Sequence, residues 1–265
     1  MAFLWTGVLS LAAFLVVCAT VGALVHPAKA NTTLRVMALG DSITAGVAAN
    51  GAVVDDGGYR GTLGTLLAQN GVHVQFVGTR SDYSAAIRNR AHEGWPGYVL
   101  RSFPGDPGPG QLYGALTKRA IETAHPDLIL LMAGTNDLMR LQRNVPGYTM
   151  PNVLNSMDLL LAQIFDLEPA VRVIVAPVVQ SPRVSTDNVT RFDNGLAPIV
   201  AAYAKRGDRI TLADGMESSV PRDRAHFPDG IHPSGSGGYA DVAHIWLHAI
   251  EQVTNAQTAT SVTKQ

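Results

Sequence analysis

The sequence has a single cysteine, Cys18, which lies in an apolar stretch near the amino terminus. The rest of the chain therefore has no thiol for a disulfide, a sulfur-ligated metal or a cysteine nucleophile. A cluster of basic residues is also absent, and 20 Lys and Arg are balanced by 21 Asp and Glu. This balance argues against nucleic acid as a partner. The sequence contains neither a phosphate loop ending in Gly-Lys nor the Gly-x-Ser-x-Gly elbow, which excludes two common enzyme architectures.

Residues 1–30 differ in composition from the rest of the chain. The segment Ala2–Val25 carries no charge, and Ala28 and Ala30 then form the small-residue pattern of a signal-peptidase site. We predict that residues 1–30 are an export signal and that the remaining chain is secreted. The apolar run is also long enough to span a bilayer, so an uncleaved anchor is the alternative. A membrane is expected as a partner only in that case.

Apolar, strand-like runs alternate with helix-like segments from residue 31 onward. The predicted strands are Leu34–Leu39, Val72–Val77, Asp127–Met132, Val171–Pro177 and Arg209–Leu212. The predicted helices are Tyr59–Gln69, Gln111–Thr123, Val153–Phe165, Arg191–Lys205 and Gly237–Val253. This alternation predicts an α/β fold, a three-layer α/β/α sandwich whose five-stranded parallel sheet has a flavodoxin-like order. We assign the domain to residues 31–253 and predict that the polar residues 254–265 form a flexible tail.

Long loops follow the second to fifth predicted strands. They are Gly78–Gly110, Gly134–Met150, Val178–Asn188 and Ala213–Pro233. Parallel α/β sheets bind their ligands beyond the carboxyl ends of the strands. We therefore expect the functional site among these loops.

Two short motifs carry the residues of a serine mechanism. Gly40-Asp41-Ser42 follows the first predicted strand, and Asp229 precedes His232 by three residues in the last long loop. An Asp at this spacing can accept a hydrogen bond from the imidazole Nδ1–H, which leaves Nε2 free to take a proton from a serine. Taken singly, each motif is equally well explained as a turn.

A third motif, Gly134-Thr135-Asn136-Asp137, follows the third predicted strand. A neutral amide donor such as Asn136 suits the oxyanion that develops in acyl transfer, although the same residues also make an ordinary turn. The segment His92–Tyr98 contributes glycines that let a backbone N–H approach a substrate oxygen.

Together and in this order, the motifs resemble those of the SGNH (GDSL-type) hydrolases. The matching blocks are Gly40-Asp41-Ser42, Gly97, Gly134-x-Asn136-Asp137 and Asp229-x-x-His232. The resemblance implies that Ser42 is the nucleophile, His232 the general base and then acid, and Asp229 the residue that orients it. It also implies an oxyanion hole formed by the N–H groups of Ser42 and Gly97 and the side chain of Asn136. Gly94 competes with Gly97, because spacing within the block does not separate them.

Within that superfamily, three stretches resemble the secreted carbohydrate acetyl esterases related to acetylxylan esterase. They are Gly58-Tyr59-Arg60-Gly61, Phe76-Val77-Gly78-Thr79 and His92-Glu93-Gly94-Trp95-Pro96-Gly97-Tyr98. The resemblance implies hydrolysis of acetyl esters on a polysaccharide or oligosaccharide, with Asp41 next to the substrate. Tyr59, Trp95 and Tyr98 are candidates for an aromatic wall against a sugar ring, with packing inside the protein as the alternative.

Three other functions are compatible with parts of the sequence. The first is a lipase or general carboxylesterase acting on short acyl chains, and the second is a carbohydrate-binding protein that has lost catalysis. The third is a metal site formed by His226, Asp229 and His232, which would leave the oxyanion donors without a role. We predict neither a metal nor another cofactor.

Overall fold

The computed structural model describes residues 33–49, 56–235 and 237–262, with side chains up to residue 254. The predicted signal segment, its apolar run and Cys18 lie outside the described residues, and the boundaries assigned to the domain stay predictions. No helix within the described part of the chain is both long enough and apolar enough to cross a membrane.

The central sheet is parallel, which confirms the predicted α/β class. Its five main strands are β1 (Leu34–Gly40), β2 (Val74–Val77), β4 (Leu128–Met132), β5 (Arg172–Val175) and β6 (Ile210–Leu212). Their order is β2-β1-β4-β5-β6, the predicted flavodoxin-like order. In β1 the last five residues are buried, and β4 is buried along its whole length. Such continuous apolar strands are typical of a sheet that is covered on both faces.

A further strand, β3 (Glu93–Gly94), was not predicted. It pairs in parallel with Leu39 and Gly40 at the end of β1, beyond the point where β2 stops pairing. Two residues carry no period from which a strand can be predicted, so this pairing depends on tertiary contacts. It brings the His92–Tyr98 segment to the carboxyl end of β1.

Seven α-helices and a short 3₁₀ helix (Met216–Ser218) occur in the described residues. The α-helices are α1 (Ser42–Ala45), α2 (Tyr59–Gln69), α3 (Ala115–Ala124), α4 (Thr135–Gln142), α5 (Met150–Leu167), α6 (Thr186–Arg206) and α7 (Gly238–Val262). Successive residues of β1 point to opposite faces of the sheet. Val36 and Ala38 pack in the core beneath α2 and α7, whereas Met37 and Leu39 pack in the core beneath α3, α5 and α6. The molecule therefore has three layers, as predicted.

The bounds of α3, α5 and α6 differ by one to five residues from the predicted helices, and the one-turn helix α1 was not predicted, but the two largest differences are elsewhere. The segment Gly134–Met150 was predicted to be a loop, but α4 occupies its first half. The last helix was predicted to end at Val253, but α7 continues to Val262 into the predicted tail. Residues 254–262 include three Thr, one Asn and one Ser, which have low helix propensity, so composition alone does not predict this extension.

Candidate active site

Ser42 lies at the carboxyl end of β1, where the strand turns sharply into α1. A Cβ on Gly40 would overlap the carbonyl oxygen of Met132, so only glycine allows β1 and β4 to approach here. Asp41 then caps α1, because its Oδ1 accepts a hydrogen bond from Ile43 N at 2.9 Å. These contacts leave Ser42 as the first residue of α1, with 8% of its surface exposed.

His232 reaches Ser42 from the loop that precedes α7. Its Nε2 lies 2.9 Å from Ser42 Oγ, and its Nδ1 lies 2.7 Å from Asp229 Oδ2. The other oxygen of Asp229 accepts hydrogen bonds of 2.8 Å from the backbone N–H groups of Ile231 and His232. The structure thus joins Ser42, His232 and Asp229 in one hydrogen-bonded chain.

The Asp229 carboxylate is stabilised in its charged form. Partial burial favours the neutral acid, but hydrogen bonds from the His232 side chain and from the backbone outweigh it and lower the pKa of Asp229. An ionised carboxylate only accepts hydrogen bonds, so it holds the proton of the imidazole on Nδ1. Nε2 is then the acceptor that faces the Ser42 hydroxyl.

Asn136 lies in the first turn of α4, directly after β4. Its Nδ2 donates to Tyr98 O at 2.9 Å, and this single bond leaves the second amide hydrogen available. Gly97 has a positive φ of 79°, and no described group accepts a hydrogen bond from its N–H. Gly97 and Asn136 closely follow the ends of β3 and β4, so both donors lie at the carboxyl edge of the sheet.

The two candidate glycines differ in their surroundings. The Gly94 N–H donates to His92 Nδ1 at 3.0 Å, and both residues are buried. A Cβ on Gly94 would overlap the backbone of Ala45, so this glycine is needed where β3 passes α1. Its N–H is already used inside the protein, which favours Gly97 as the oxyanion donor.

Two arginines that the sequence reasoning missed hold the backbone around the site. Arg60 is buried and donates to Thr44 O at 3.2 Å and to Ala45 O at 3.0 Å, which fixes the end of α1. Burial lowers the pKa of Arg60 to about 10, so the guanidinium stays charged at neutral pH. Arg140 donates to the carbonyl oxygens of both Asn136 and Gly97. Its position one helical turn after Asn136 was the available signal.

The three aromatic candidates separate into two groups. Trp95 and Tyr98 are half-buried, their ring centroids lie 5.2 Å apart, and the Arg80 guanidinium lies 4.3 Å from the Trp95 ring. Tyr59 is instead fully buried and packs near Trp246, with ring centroids 6.0 Å apart. The prediction of a sugar contact is wrong for Tyr59, because its ring belongs to the core between α2 and α7.

Asp41 is likewise not exposed to a substrate. Only 1% of its surface is accessible, and the carboxylate faces inward to cap α1. Burial raises the pKa of Asp41, although the Ile43 N–H and the Thr135 side chain oppose the shift. The predicted contact between Asp41 and a substrate is therefore replaced by a structural role beneath Ser42.

The donors Gly97 and Asn136 line the same pocket of about 320 Å³. Its other lining residues are Pro107, Pro109, Met139, Arg140, Arg143 and Val145. Three larger pockets, of about 500, 690 and 460 Å³, are lined by other residues: the first lies near the amino ends of the strands, the second beside α2 and the third between α6 and the end of β6. The smaller pocket is therefore the one connected to the predicted chemistry.

The cluster considered for a metal does not assemble in this arrangement. His226 Nδ1 pairs with Asp223 Oδ1 at 2.8 Å, whereas His232 pairs with Asp229. Among the side chains that the structure describes, no three His, Asp or Glu residues lie close enough together to bind a metal ion.

Comparison with known proteins gives a family match over most of the chain. The model of the GDSL-like lipase/acylhydrolase family matches residues 38–239. A multidomain esterase from Ruminococcus flavefaciens is 29% identical over 245 residues, which cover 84% of this chain. The chain spans only 29% of the length of that relative.

Solved structures with the same fold include two carbohydrate esterases. A family 3 carbohydrate esterase from Clostridium thermocellum has a TM-score of 0.66 and 24% identity, covering 85% of this chain and 99% of that one. A family 3 carbohydrate esterase from Talaromyces cellulolyticus has a TM-score of 0.64 and 19% identity, covering 84% and 99%. At these identities the likeness concerns the fold alone.

Proposed function

Because the chain belongs to the GDSL-like lipase/acylhydrolase family, we propose that it is a carboxylic ester hydrolase that removes acetyl groups from carbohydrates through an acetyl-serine intermediate. The observation that carries this proposal is the hydrogen-bonded chain from Ser42 through His232 to Asp229. These hydrogen bonds connect a nucleophile, a base and an orienting carboxylate, the three parts of a serine mechanism.

The first step is proton transfer from Ser42 Oγ to His232 Nε2 as Oγ attacks the acetyl carbonyl carbon. The distance of 2.9 Å between these atoms supports a direct transfer. The imidazolium then gives the proton to the departing sugar oxygen as its bond to the acyl carbon breaks. Water attacks the acetyl-serine in the same way, with His232 again as the base, and releases acetate and free Ser42.

The negative charge of each tetrahedral intermediate needs fixed donors. We assign this role to the N–H groups of Ser42 and Gly97 and to the second amide hydrogen of Asn136. The described structure supports the assignment, because no described group accepts a hydrogen bond from either N–H and Asn136 has one amide hydrogen left. Donors of this kind stabilise the transition state more than the substrate, since charge develops only during reaction.

A sugar is favoured as the alcohol part of the ester. Trp95 and Tyr98 offer two neighbouring half-buried rings in the segment that also carries Gly97. Both solved relatives described above are named carbohydrate esterases. A general carboxylesterase for short acyl chains remains the alternative and uses the same catalytic residues.

The proposal is tested by acetate release from acetylated xylan and from an aryl acetate, with the parent and Ser42→Ala assayed together. Release from both substrates, abolished by Ser42→Ala, is the expected result. Turnover of the aryl acetate alone would contradict the carbohydrate assignment and favour the general carboxylesterase. Release that persists in Ser42→Ala would contradict the serine mechanism.

Asn136→Ala tests the oxyanion hole. Loss of one such donor lowers kcat by roughly 10²–10³-fold, whereas KM should change little because the ground-state carbonyl is less charged. Asn136→Asp keeps the size of the side chain but presents an acceptor, so it should be at least as slow. A kcat within about three-fold of the parent in Asn136→Ala would remove Asn136 from the proposed mechanism.

We also propose that the protein is secreted after cleavage at Ala30. This proposal rests on the amino-terminal sequence alone, in a segment outside the described residues. Mass spectrometry of the protein recovered from the culture medium tests it. A mature chain that begins at Asn31 is expected, and an intact amino terminus in the membrane fraction would favour an anchor.

A further inference from the structure

The Arg140 guanidinium connects the two elements that carry the proposed oxyanion donors Gly97 and Asn136. Arg140 Nη1 donates to Asn136 O at 3.2 Å, and Nη2 donates to Gly97 O at 3.3 Å. Gly97 belongs to the segment that follows β3, whereas Asn136 belongs to α4, which follows β4. These segments are far apart in sequence, so the relative position of the two donors depends on contacts between them.

The guanidinium is itself held by a buried carboxylate. Arg140 Nε lies 2.6 Å from Asp106 Oδ1, and the two side chains are only 11% and 5% exposed. Asp106 Oδ1 also accepts from Gly108 N at 2.9 Å, and its Oδ2 accepts from the Tyr148 hydroxyl. Burial favours the neutral acid, but these hydrogen bonds lower the pKa of Asp106 and keep the carboxylate charged.

The backbone of Gly108 packs directly against the guanidinium. A Cβ on Gly108 would overlap Arg140 Nη2, so a side chain there would push the guanidinium away. A planar guanidinium offers donors in several fixed directions, and Arg140 uses them on a carboxylate and two carbonyl groups. A lysine ammonium has no such fixed fork and cannot satisfy the three acceptors in the same geometry.

We propose that Arg140 is a positioning residue that sets the separation of the Gly97 N–H and the Asn136 amide in the oxyanion hole. The inference rests on the proposed function of those two donors. Oxyanion donors act over hydrogen bonds of about 2.7–3.1 Å. A displacement of about 1 Å can lower the rate about 10²-fold. Arg140 therefore acts through the geometry of Gly97 and Asn136, without touching the reacting carbonyl.

The test uses an aryl acetate, which reports ester hydrolysis whether or not carbohydrates are the natural substrates. Arg140→Ala should lower kcat by about 10–10²-fold with KM changed less than about three-fold, because the donors matter most in the transition state. Millimolar guanidinium should restore part of the lost kcat, since the 320 Å³ pocket lined by Gly97, Asn136 and Arg140 gives access to the space left by the side chain. Arg119→Ala, an exposed arginine on α3, is the matched control and should show neither effect.

Two further variants separate positioning from folding. Gly108→Ala displaces the guanidinium without changing it and should reproduce the loss of kcat, with no gain from added guanidinium. Arg140→Lys keeps a positive charge beside Asp106 and replaces Arg140→Ala in the assay if that variant does not fold. The kcat of Arg140→Lys should also fall about ten-fold or more, because lysine lacks the fork of donors.

The inference is overturned if Arg140→Lys turns over at the parental rate. It is equally overturned if the loss in Arg140→Ala follows a lower unfolding midpoint and guanidinium restores nothing, because Arg140 is then only structural. Failure of the proposed function gives a different pattern, in which Ser42→Ala retains aryl acetate hydrolysis or the parent releases no acetate from acetylated xylan.

Discussion

At the scale of single residues, Asp229 controls which nitrogen of His232 carries a proton. Asp229→Asn would keep the backbone hydrogen bonds at Oδ1 but place an amide donor against Nδ1. That arrangement favours the proton on Nε2, where it blocks transfer from Ser42. The equivalent change in a serine protease triad lowers kcat by about 10⁴. We expect a loss of that order, measured as kcat on an aryl acetate, with little change in KM.

The chain contains its own control for this change. Asp223 and His226 have the same spacing, and Asp223 Oδ1 accepts from His226 N at 2.9 Å and lies 2.8 Å from Nδ1. Asp223 is exposed, and His226 makes no hydrogen bond to Ser42 in the described structure. Asp223→Asn should therefore stay within about three-fold of the parental kcat. Equal effects of the two substitutions would contradict an orienting role that is specific to Asp229.

The sequence predicted which polar side chains meet at Ser42, while their roles stay predictions until assayed. It could not choose between Gly94 and Gly97, because that choice depends on where His92 points its ring. It also could not reveal that Asp41 and Tyr59 face inward, since a motif fixes neighbours in sequence and not the direction of a side chain. The contacts of Arg140 join segments about 40 residues apart, which no local pattern contains.

At the scale of elements, α2 contains a glycine that its structure does not require. Gly64 lies in the middle of this helix, and the nearest atom to a Cβ built there is Phe76 Cε2 at 3.6 Å, an ordinary contact. Alanine in a helix interior is favoured over glycine by about 0.5–1 kcal/mol. Gly64→Ala should therefore raise the melting temperature by roughly 1–4 °C for a domain of this size. Thermal unfolding by circular dichroism measures the shift.

Gly94→Ala provides the opposite case. Its Cβ would overlap the backbone of Ala45, so β3 and α1 would have to separate next to Ser42. We expect a lower melting temperature together with a lower kcat. An increase in stability for Gly94→Ala, or a decrease for Gly64→Ala, would contradict the packing described for these two elements.

The elements that the sequence predicted are the long, periodic ones. Tyr59–Gln69 was predicted with the observed bounds, and the inner strands β1, β4 and β5 contain continuous apolar runs. The short helix α4 was missed because its eight residues include only three large apolar side chains, Leu138, Met139 and Leu141, which are too few to show a helical period. Its helical form depends on packing of Leu138 in the core and on the contacts of Arg140, which are tertiary. β3 is too short to carry any pattern.

At the scale of the whole molecule, buried acids make stability depend on pH. Asp137 is fully buried on α4, and its carboxyl oxygens lie 3.0 and 3.2 Å from the Leu100 N–H. Burial raises the pKa of Asp137 to about 8, because the backbone N–H groups of Leu100 and Asp137 and the nearby charge of Arg140 do not replace the lost hydration of a charge. An unfolded Asp has a pKa of about 3.9.

The sign of the effect follows from the protons bound in each state. Between pH 4 and pH 8 the folded chain keeps the proton on Asp137 and the unfolded chain has lost it. This contribution to the free energy of unfolding is therefore complete below pH 4 and is lost as pH rises towards 8, by at most about 1.4 kcal/mol per pH unit. His92 acts in the opposite direction between about pH 4 and 6.5, since burial lowers its pKa to about 4.

Asp137→Asn isolates the contribution of Asp137, because the other titrating groups are common to both proteins. The amide matches the neutral acid in shape, and its oxygen can accept the Leu100 N–H. The unfolding free energy of the variant minus that of the parent should increase by about 2–4 kcal/mol from pH 5 to pH 8. Urea denaturation at the two pH values measures this change. Asp166→Asn, at an exposed position on α5, is the matched control and should give the same difference from the parent at both pH values. If the difference between Asp137→Asn and the parent is the same at pH 5 and pH 8, Asp137 is already ionised in the folded protein at neutral pH. Its charge would then be stabilised by contacts beyond the Leu100 N–H.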